Sequence, residues 1–325
     1  MEWRRLLADT LRILAVAAAY YATGRIGLQL RVVVGGAEVT PLWAPTGIAV
    51  AALLWWGLRV WPGITLGAYL SIEHISTFQP ADLGLLVGNT LAPVCAYLML
   101  RRVGFRPEMD RLRDGLALVF LGGLLPMLIS ATVGAATLEA TGDLPPDQFW
   151  SVWAAWWTGD AMGVLLVTPV LLVLPRLRRP EDPLRVAEAA ALFAGCAAVT
   201  VLAARSSLSL LFLVFPMLIW VAVRFQHSMG APCALLVSVL AIWAAIDQAG
   251  PFAGHTLFDV MVNLQGLNGS AALTVLLLSA LVTEQNNIRL KIEQLCEELA
   301  EVVDRLAPGR PEERREGRGR SERGG

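Results

Sequence analysis

Glu73 and His74 stand side by side, and among the 325 residues they come nearest to a catalytic pair. Neighbours on a helix point about 100 degrees apart, so the two cannot converge on one metal or substrate. Only three histidines occur (His74, His227, His255), and no metalloprotease, phosphate-loop or nucleophile-elbow pattern is present. Cys95, Cys196, Cys233 and Cys296 are scattered without a Cys-x-x-Cys pair, which suits small core residues better than disulfides or metal ligands. No catalytic residue, metal or cofactor is therefore expected. The chemistry left to the chain is that of ionisable groups inside apolar segments: Arg25, Glu73, Asp160 and Asp247. Such groups are costly unless paired or functional. Asp160 follows the aromatic run Trp150, Trp153, Trp156, Trp157, which can form both an interfacial belt and a pocket wall. It can serve as a ligand or proton site, or fix helix packing by contact with Arg25 or Asn89; the sequence leaves both open. A polar cavity holding Asp160 with Arg25, Glu73 and Asn89 is the expected arrangement.

The elements that must position these groups are membrane helices. The chain is 56% hydrophobic and 16% charged, and 19 of its 53 charged residues fall from Glu284 onward. Segments near the 20 apolar residues of a span occur at about 11–30, 42–58, 62–78, 82–100, 115–137, 150–174, 186–204, 208–223, 231–248 and 264–283. This predicts an all-α polytopic membrane protein, a bundle of about ten transmembrane helices. With ten spans, the arginines around Arg4–Arg12, Arg59, Arg101–Arg113, Arg176–Arg185 and Arg224 all fall on one side. The opposite loops carry Glu139, Asp143, Asp147 and Asp259, with Arg31 and Arg205 as basic exceptions near span ends. The positive-inside rule then places both termini in the cytoplasm, with the bilayer as an obligate partner in a bacterial inner membrane. A cleaved leader is not expected, since the first apolar run continues to Leu30. The near-balanced charge says nothing for nucleic acid, and none is expected as a partner.

Beyond the last span, Leu281, Ile288, Ile292, Leu295, Leu299, Val302 and Leu306 recur at heptad spacing. Residues 284–307 are read as a cytoplasmic coiled-coil helix continuing the 1–283 membrane domain, with homodimerisation as its consequence. An amphipathic helix on the membrane surface is the alternative, opposed by the acidic Glu297, Glu298 and Glu301. Residues 308–325 lack aliphatic side chains and are expected to be disordered.

Two motifs join Trp, Pro and Gly at helix starts: Trp43, Pro45, Gly47, then Trp61, Pro62, Gly63, Gly67. Together with Trp157, Gly159, Asp160, Gly163 and Pro169, they resemble the first membrane-associated sensor family (MASE type one), the sensory module of many bacterial histidine kinases and diguanylate cyclases. The stretches Pro216–Trp220–Arg224–Phe225, Gly250–Pro251–Phe252 and Leu264–Gln265 agree with its second half, so the resemblance covers about residues 15 to 285. Gln226 and His227 stand where the family usually turns with glycine. No phosphoacceptor helix, ATP-binding pair or cyclase signature follows the last helix.

The resemblance implies a sensory membrane module; in the family an output enzyme domain normally follows the last helix, and the lack of its signatures here makes a chain that is not itself an enzyme the expectation. It would pass a signal through its C-terminal helix to a separate histidine kinase or diguanylate cyclase. Asp160, Trp156, Trp157, Arg25, Glu73, Asn89 and Trp43 are the candidate signal-binding residues. The alternatives are a small-molecule transporter, against which no internal repeat relates the two halves, and a bare scaffold.

Overall fold

A computed structural model of the protein describes residues 2–29, 32–34, 37–177, 182–206, 208 and 210–306. It divides into two compact units, Met1–Thr283 and Glu284–Gly325. The segment expected to be disordered, with Ala307 and the basic residues Arg31, Arg178 and Arg179, lies outside the described residues.

The first unit is a helical bundle. Helix α1 (Glu2–Gln29) is followed by a small antiparallel hairpin, β1 (Val32–Val34) and β2 (Ala37–Val39), in which Val33 pairs with Glu38. Then come α2 (Ala44–Trp56), α3 (Trp61–Ile75), α4 (Leu83–Arg102), α5 (Leu112–Ala117) and α6 (Leu125–Thr141). Helices α7 (Phe149–Met162), α8 (Thr168–Val173), α9 (Pro183–Arg205), α10 (Val214–Phe225), α11 (His227–Ile246) and α12 (Leu257–Leu306) complete the chain. One π-helical turn, Leu118–Leu124, joins α5 to α6, and another, Gly163–Val167, joins α7 to α8.

Eight helical runs among the described residues are long and apolar enough to cross a membrane, with Leu211–Phe225 as a shorter apolar helix. The count differs from the ten segments read in the sequence for a definable reason. Spans 42–58 and 62–78 form one uninterrupted run, Ala44–Ile75, yet Gly57 (φ 74°, ψ −168°) and the 3-10 turn Gly57–Val60 reverse the chain inside it. Glycine alone adopts that conformation without strain. The reversal shows in the packing on α1. A Cβ built at Gly24 would lie 3.0 Å from Ser71 Oγ and 3.6 Å from Pro45, so the start of α2 and the end of α3 share one level. At the other end of α3, a Cβ on Gly63 would stand 2.4 Å from the Ile13 carbonyl. Residues of this size let α1 and α3 meet backbone to backbone, as small residues do between membrane helices.

Contacts between neighbouring helices show that successive passes alternate in direction. Thr65 meets Thr90, Gly84 meets Thr137 and Gly134 meets Trp156, while Arg224 at the end of α10 reaches Glu188 at the start of α9. The turns therefore gather at two ends. Arg59, Arg101, Arg111, Arg176 and Arg224 share one end, where Arg59 pairs with Asp9, Arg176 with Glu108, Arg224 with Glu188 and Arg111 with Asp114. The hairpin and the turns 76–82 and 142–148 occupy the other.

The core follows from this order. Val16 and Tyr20 of α1, Ala49 and Leu53 of α2, Ile64 and Ala68 of α3 and Tyr97 of α4 fill one cluster. A larger one runs from Val50 through Leu118, Leu165 and Val237 to Val275. Of the four cysteines, Cys196 and Cys233 are buried, Cys95 half-buried and Cys296 exposed, and all are free thiols. Gln226, where the resemblance expects glycine, takes φ 50° and ψ −142°. The turn keeps a glycine-like backbone without glycine.

In the second unit the helix carries Ile288, Ile292, Leu295, Leu299 and Val302, all about half exposed or more. The i,i+4 pairs Arg289–Glu293 and Arg305–Glu301 lie along it.

Candidate functional site

Asp160 lies near the end of α7, one turn before the π-helical segment, and is 1% exposed. Its position is set by backbone contact between two glycine-bearing segments. The Trp43 N–H donates to the Gly159 carbonyl at 3.0 Å, and Thr168 Oγ1 donates to the Gly47 carbonyl at 2.9 Å. A Cβ on Gly47 would fall 2.1 Å from the Gly163 carbonyl oxygen, and one on Gly163 would fall 2.0 Å from that of Trp43. No side chain fits there. Glycine in both motifs is what lets α2 run against α7, with Pro45 tolerated in the first turn of α2.

That approach puts Thr46 against Asp160, with Oγ1 donating to Oδ1 at 2.5 Å. Ser130 and Trp156 also face the carboxylate, but Oδ2 has no partner at hydrogen-bonding distance. No Lys, Arg or His among the described residues pairs with Asp160.

Next to the carboxylate is a cavity of about 120 Å³. Tyr20, Trp43, Trp156 and Gly159 form the wall nearest Asp160, and Asn89 and Ser71 supply polar groups. The Tyr20 hydroxyl donates to Asn89 Oδ1 at 3.4 Å, and Asn89 Nδ2 donates to the Leu85 carbonyl. With Leu28, Thr40, Ile75 and Leu85 also on its walls, the cavity belongs to the arginine-poor end.

Of the seven candidate residues, the structure brings four together: Asp160, Trp156, Trp43 and Asn89. The other three point elsewhere. Arg25 is exposed and donates to the Tyr21 hydroxyl, because the buried face of α1 carries Val16, Tyr20, Gly24 and Gly27 and the next residue after Gly24 turns outward. Glu73, in the last turn of α3, is exposed and accepts from the Phe78 N–H. Trp157 stacks on Trp153 and donates to the Leu124 carbonyl at 2.7 Å, a packing role toward α6. Neither contact offered as a packing partner for Asp160, Arg25 or Asn89, is formed directly; Asn89 is linked to the cluster through Tyr20. Asp247 is exposed at the end of α11.

Sequence reasoning missed Thr46, Tyr20 and Ser130. Thr46 sits inside the Trp43–Gly47 motif and Tyr20 four residues before Gly24, and each spacing was a usable signal. It also missed Gln265 as a connector: its Nε2 donates to the Pro41 carbonyl at 3.0 Å, tying α12 to the turn before Trp43. No cluster of three or more metal-ligating side chains occurs among the described residues.

The probable diguanylate cyclase DgcE of Escherichia coli strain K12 is 27% identical over 218 residues, which is 64% of this chain and 19% of that protein. The chain thus spans about a fifth of the relative's length. No solved structure matches. The family model MASE1 matches residues 12–286, the whole of the bundle apart from the first turns of α1. A multi-pass helical bundle whose glycine and tryptophan motifs lock α2 onto α7, matched over that length, places the chain in the MASE1 family of membrane sensory modules, which occur with kinases and cyclases.

Proposed function

We propose that the chain senses a signal in the cavity beside Asp160 and relays it through α12 to an output protein, a histidine kinase or diguanylate cyclase. The observation that carries this reading is the Gln265–Pro41 hydrogen bond. It joins the cavity-forming turn Thr40–Trp43 to the helix whose residues from Glu284 onward belong to the second unit. A change in that turn therefore acts on α12 within one contact. The bistable element such a relay needs is a helix pair. The exposed stripe Ile288, Ile292, Leu295, Leu299 and Val302 has the heptad spacing of a dimer seam, and its occupant is a second copy of this chain.

The arrangement of charge sets the orientation. Arginines at one end and the cavity at the other favour a cytoplasmic location for both termini in a bacterial inner membrane, with the cavity open to signals from outside. Asp160, Trp156, Trp43 and Asn89 bind the signal in this reading, and Arg25, Glu73 and Trp157 do not. Replacing Ile292, Leu295, Leu299 and Val302 with Ser tests the relay. The full chain in lipid nanodiscs should fall from dimer to monomer while the bundle melts at an unchanged temperature. An unaltered dimer would remove the seam from the account.

A further inference from the structure

We propose that the cavity takes a small organic cation, an alkylammonium of about tetramethylammonium's size. This rests on the sensory reading above, since it names the ligand class of the same site. The first observation is electrostatic. Asp160 is buried in the bundle with Thr46 donating to Oδ1, Ser130 and Trp156 facing it, an open Oδ2, and no cationic side chain paired with it among the described residues. A lone carboxylate taken from water is expensive, and a cation nearby relieves that cost.

The second observation is the wall between carboxylate and cavity. Tyr20, Trp43 and Trp156 present aromatic surface, which attracts alkylammonium groups through the ring quadrupole. The carboxylate stands behind this wall, so it makes the field in the cavity negative without demanding a direct contact. That suits an ammonium carrying methyl groups better than a bare amine, which must replace each lost water bond.

Size and lining exclude the other classes. A cavity of about 150 Å³ holds benzene with its six non-hydrogen atoms, so one of 120 Å³ admits a ligand of about five, the size of tetramethylammonium. No Arg, Lys or His among the described residues lines it, so an anion finds no partner among them. Asn89 and Ser71 satisfy one hydroxyl but not the ring of hydroxyls on a sugar.

Binding of radiolabelled tetramethylammonium to the full chain in nanodiscs, with competition by the neutral tert-butanol of the same size, tests the proposal. Tetramethylammonium should bind saturably and tert-butanol at least tenfold more weakly. Asp160→Asn should erase the difference between them. Should that variant not fold, Trp156→Leu serves instead, weakening tetramethylammonium at least tenfold. A neutral compound that competes as well as tetramethylammonium, unchanged tetramethylammonium binding in the variant, or no binding of either compound overturns the cation assignment. The sensory reading fails separately, if Asp160→Asn leaves the geometry of the α12 pair unaltered.

Discussion

The Gln265 side chain on α12 donates to the Pro41 carbonyl at 3.0 Å across 224 residues of sequence. Pro41 lies between Thr40, whose carbonyl packs on Gly159, and Trp43, whose N–H donates to the Gly159 carbonyl. One side chain thus joins the last helix of the bundle to the turn that walls the cavity. The Gln265 Oε1 is buried without a partner, so the contact is held by a single bond.

Gln265→Leu should cost about 1 kcal/mol, the net value of one hydrogen bond, and leave the bundle folded. Its larger effect should be functional. Thermal unfolding in nanodiscs measures the first, and loss of any ligand-induced change at position 295 measures the second.

Gly163→Ala should be far more damaging than Gly266→Ala. The first places a methyl 2.0 Å from the Trp43 carbonyl oxygen, and the second meets nothing within 4 Å. Forced separation of α2 from α7 should cost more than about 3 kcal/mol, at the upper end for overpacking. Gly266→Ala should stabilise by up to about 1 kcal/mol through helix propensity. Yield of folded protein and melting temperature decide between them.

Gln226→Gly should stabilise the chain by about 1 kcal/mol, the lower end of the cost of holding a non-glycine residue in such a conformation. Its φ of 50° with ψ −142° lies where glycine is at ease and glutamine is not. A lowered melting temperature would show that the turn is held by something other than backbone preference.

Cysteines introduced singly at Pro145 and Arg176 should label from opposite faces of the membrane. Pro145 belongs to the end that holds the cavity, and Arg176 to the arginine-rich end. Labelling of both from one face would contradict the alternation of passes.

Much of the fold was legible because its signals are local. Apolar runs marked the passes, and the arginines gathered at one end, since both depend on residue type alone. The Trp43–Gly47 and Gly159–Gly163 spacings marked the backbone contact but not its partner, because glycine announces an approach without saying to what. Asp160 was found through the cost of burying charge. The same argument misplaced Arg25 and Glu73, for an ionisable residue near a helix end escapes that cost by turning outward. On α1 the periodicity of Val16, Tyr20, Gly24 and Gly27 held the answer, with Arg25 about 100 degrees off the buried face. Gln265 was read as part of the family resemblance, but its contact could not be read. Its role depends on a carbonyl more than two hundred residues away, and no pattern near it signals that partner.

The most direct measurement of the account is the distance between copies at position 295. Spin labels on a Leu295→Cys chain in a Cys296→Ser background report it by pulsed electron paramagnetic resonance in nanodiscs. The account expects a short inter-copy distance, about 20 Å or less, as two packed helices with axes about 10 Å apart require. It also expects that distribution to shift in both Asp160→Asn and Gln265→Leu. A monomeric chain, or distributions that coincide across all three proteins, would contradict it.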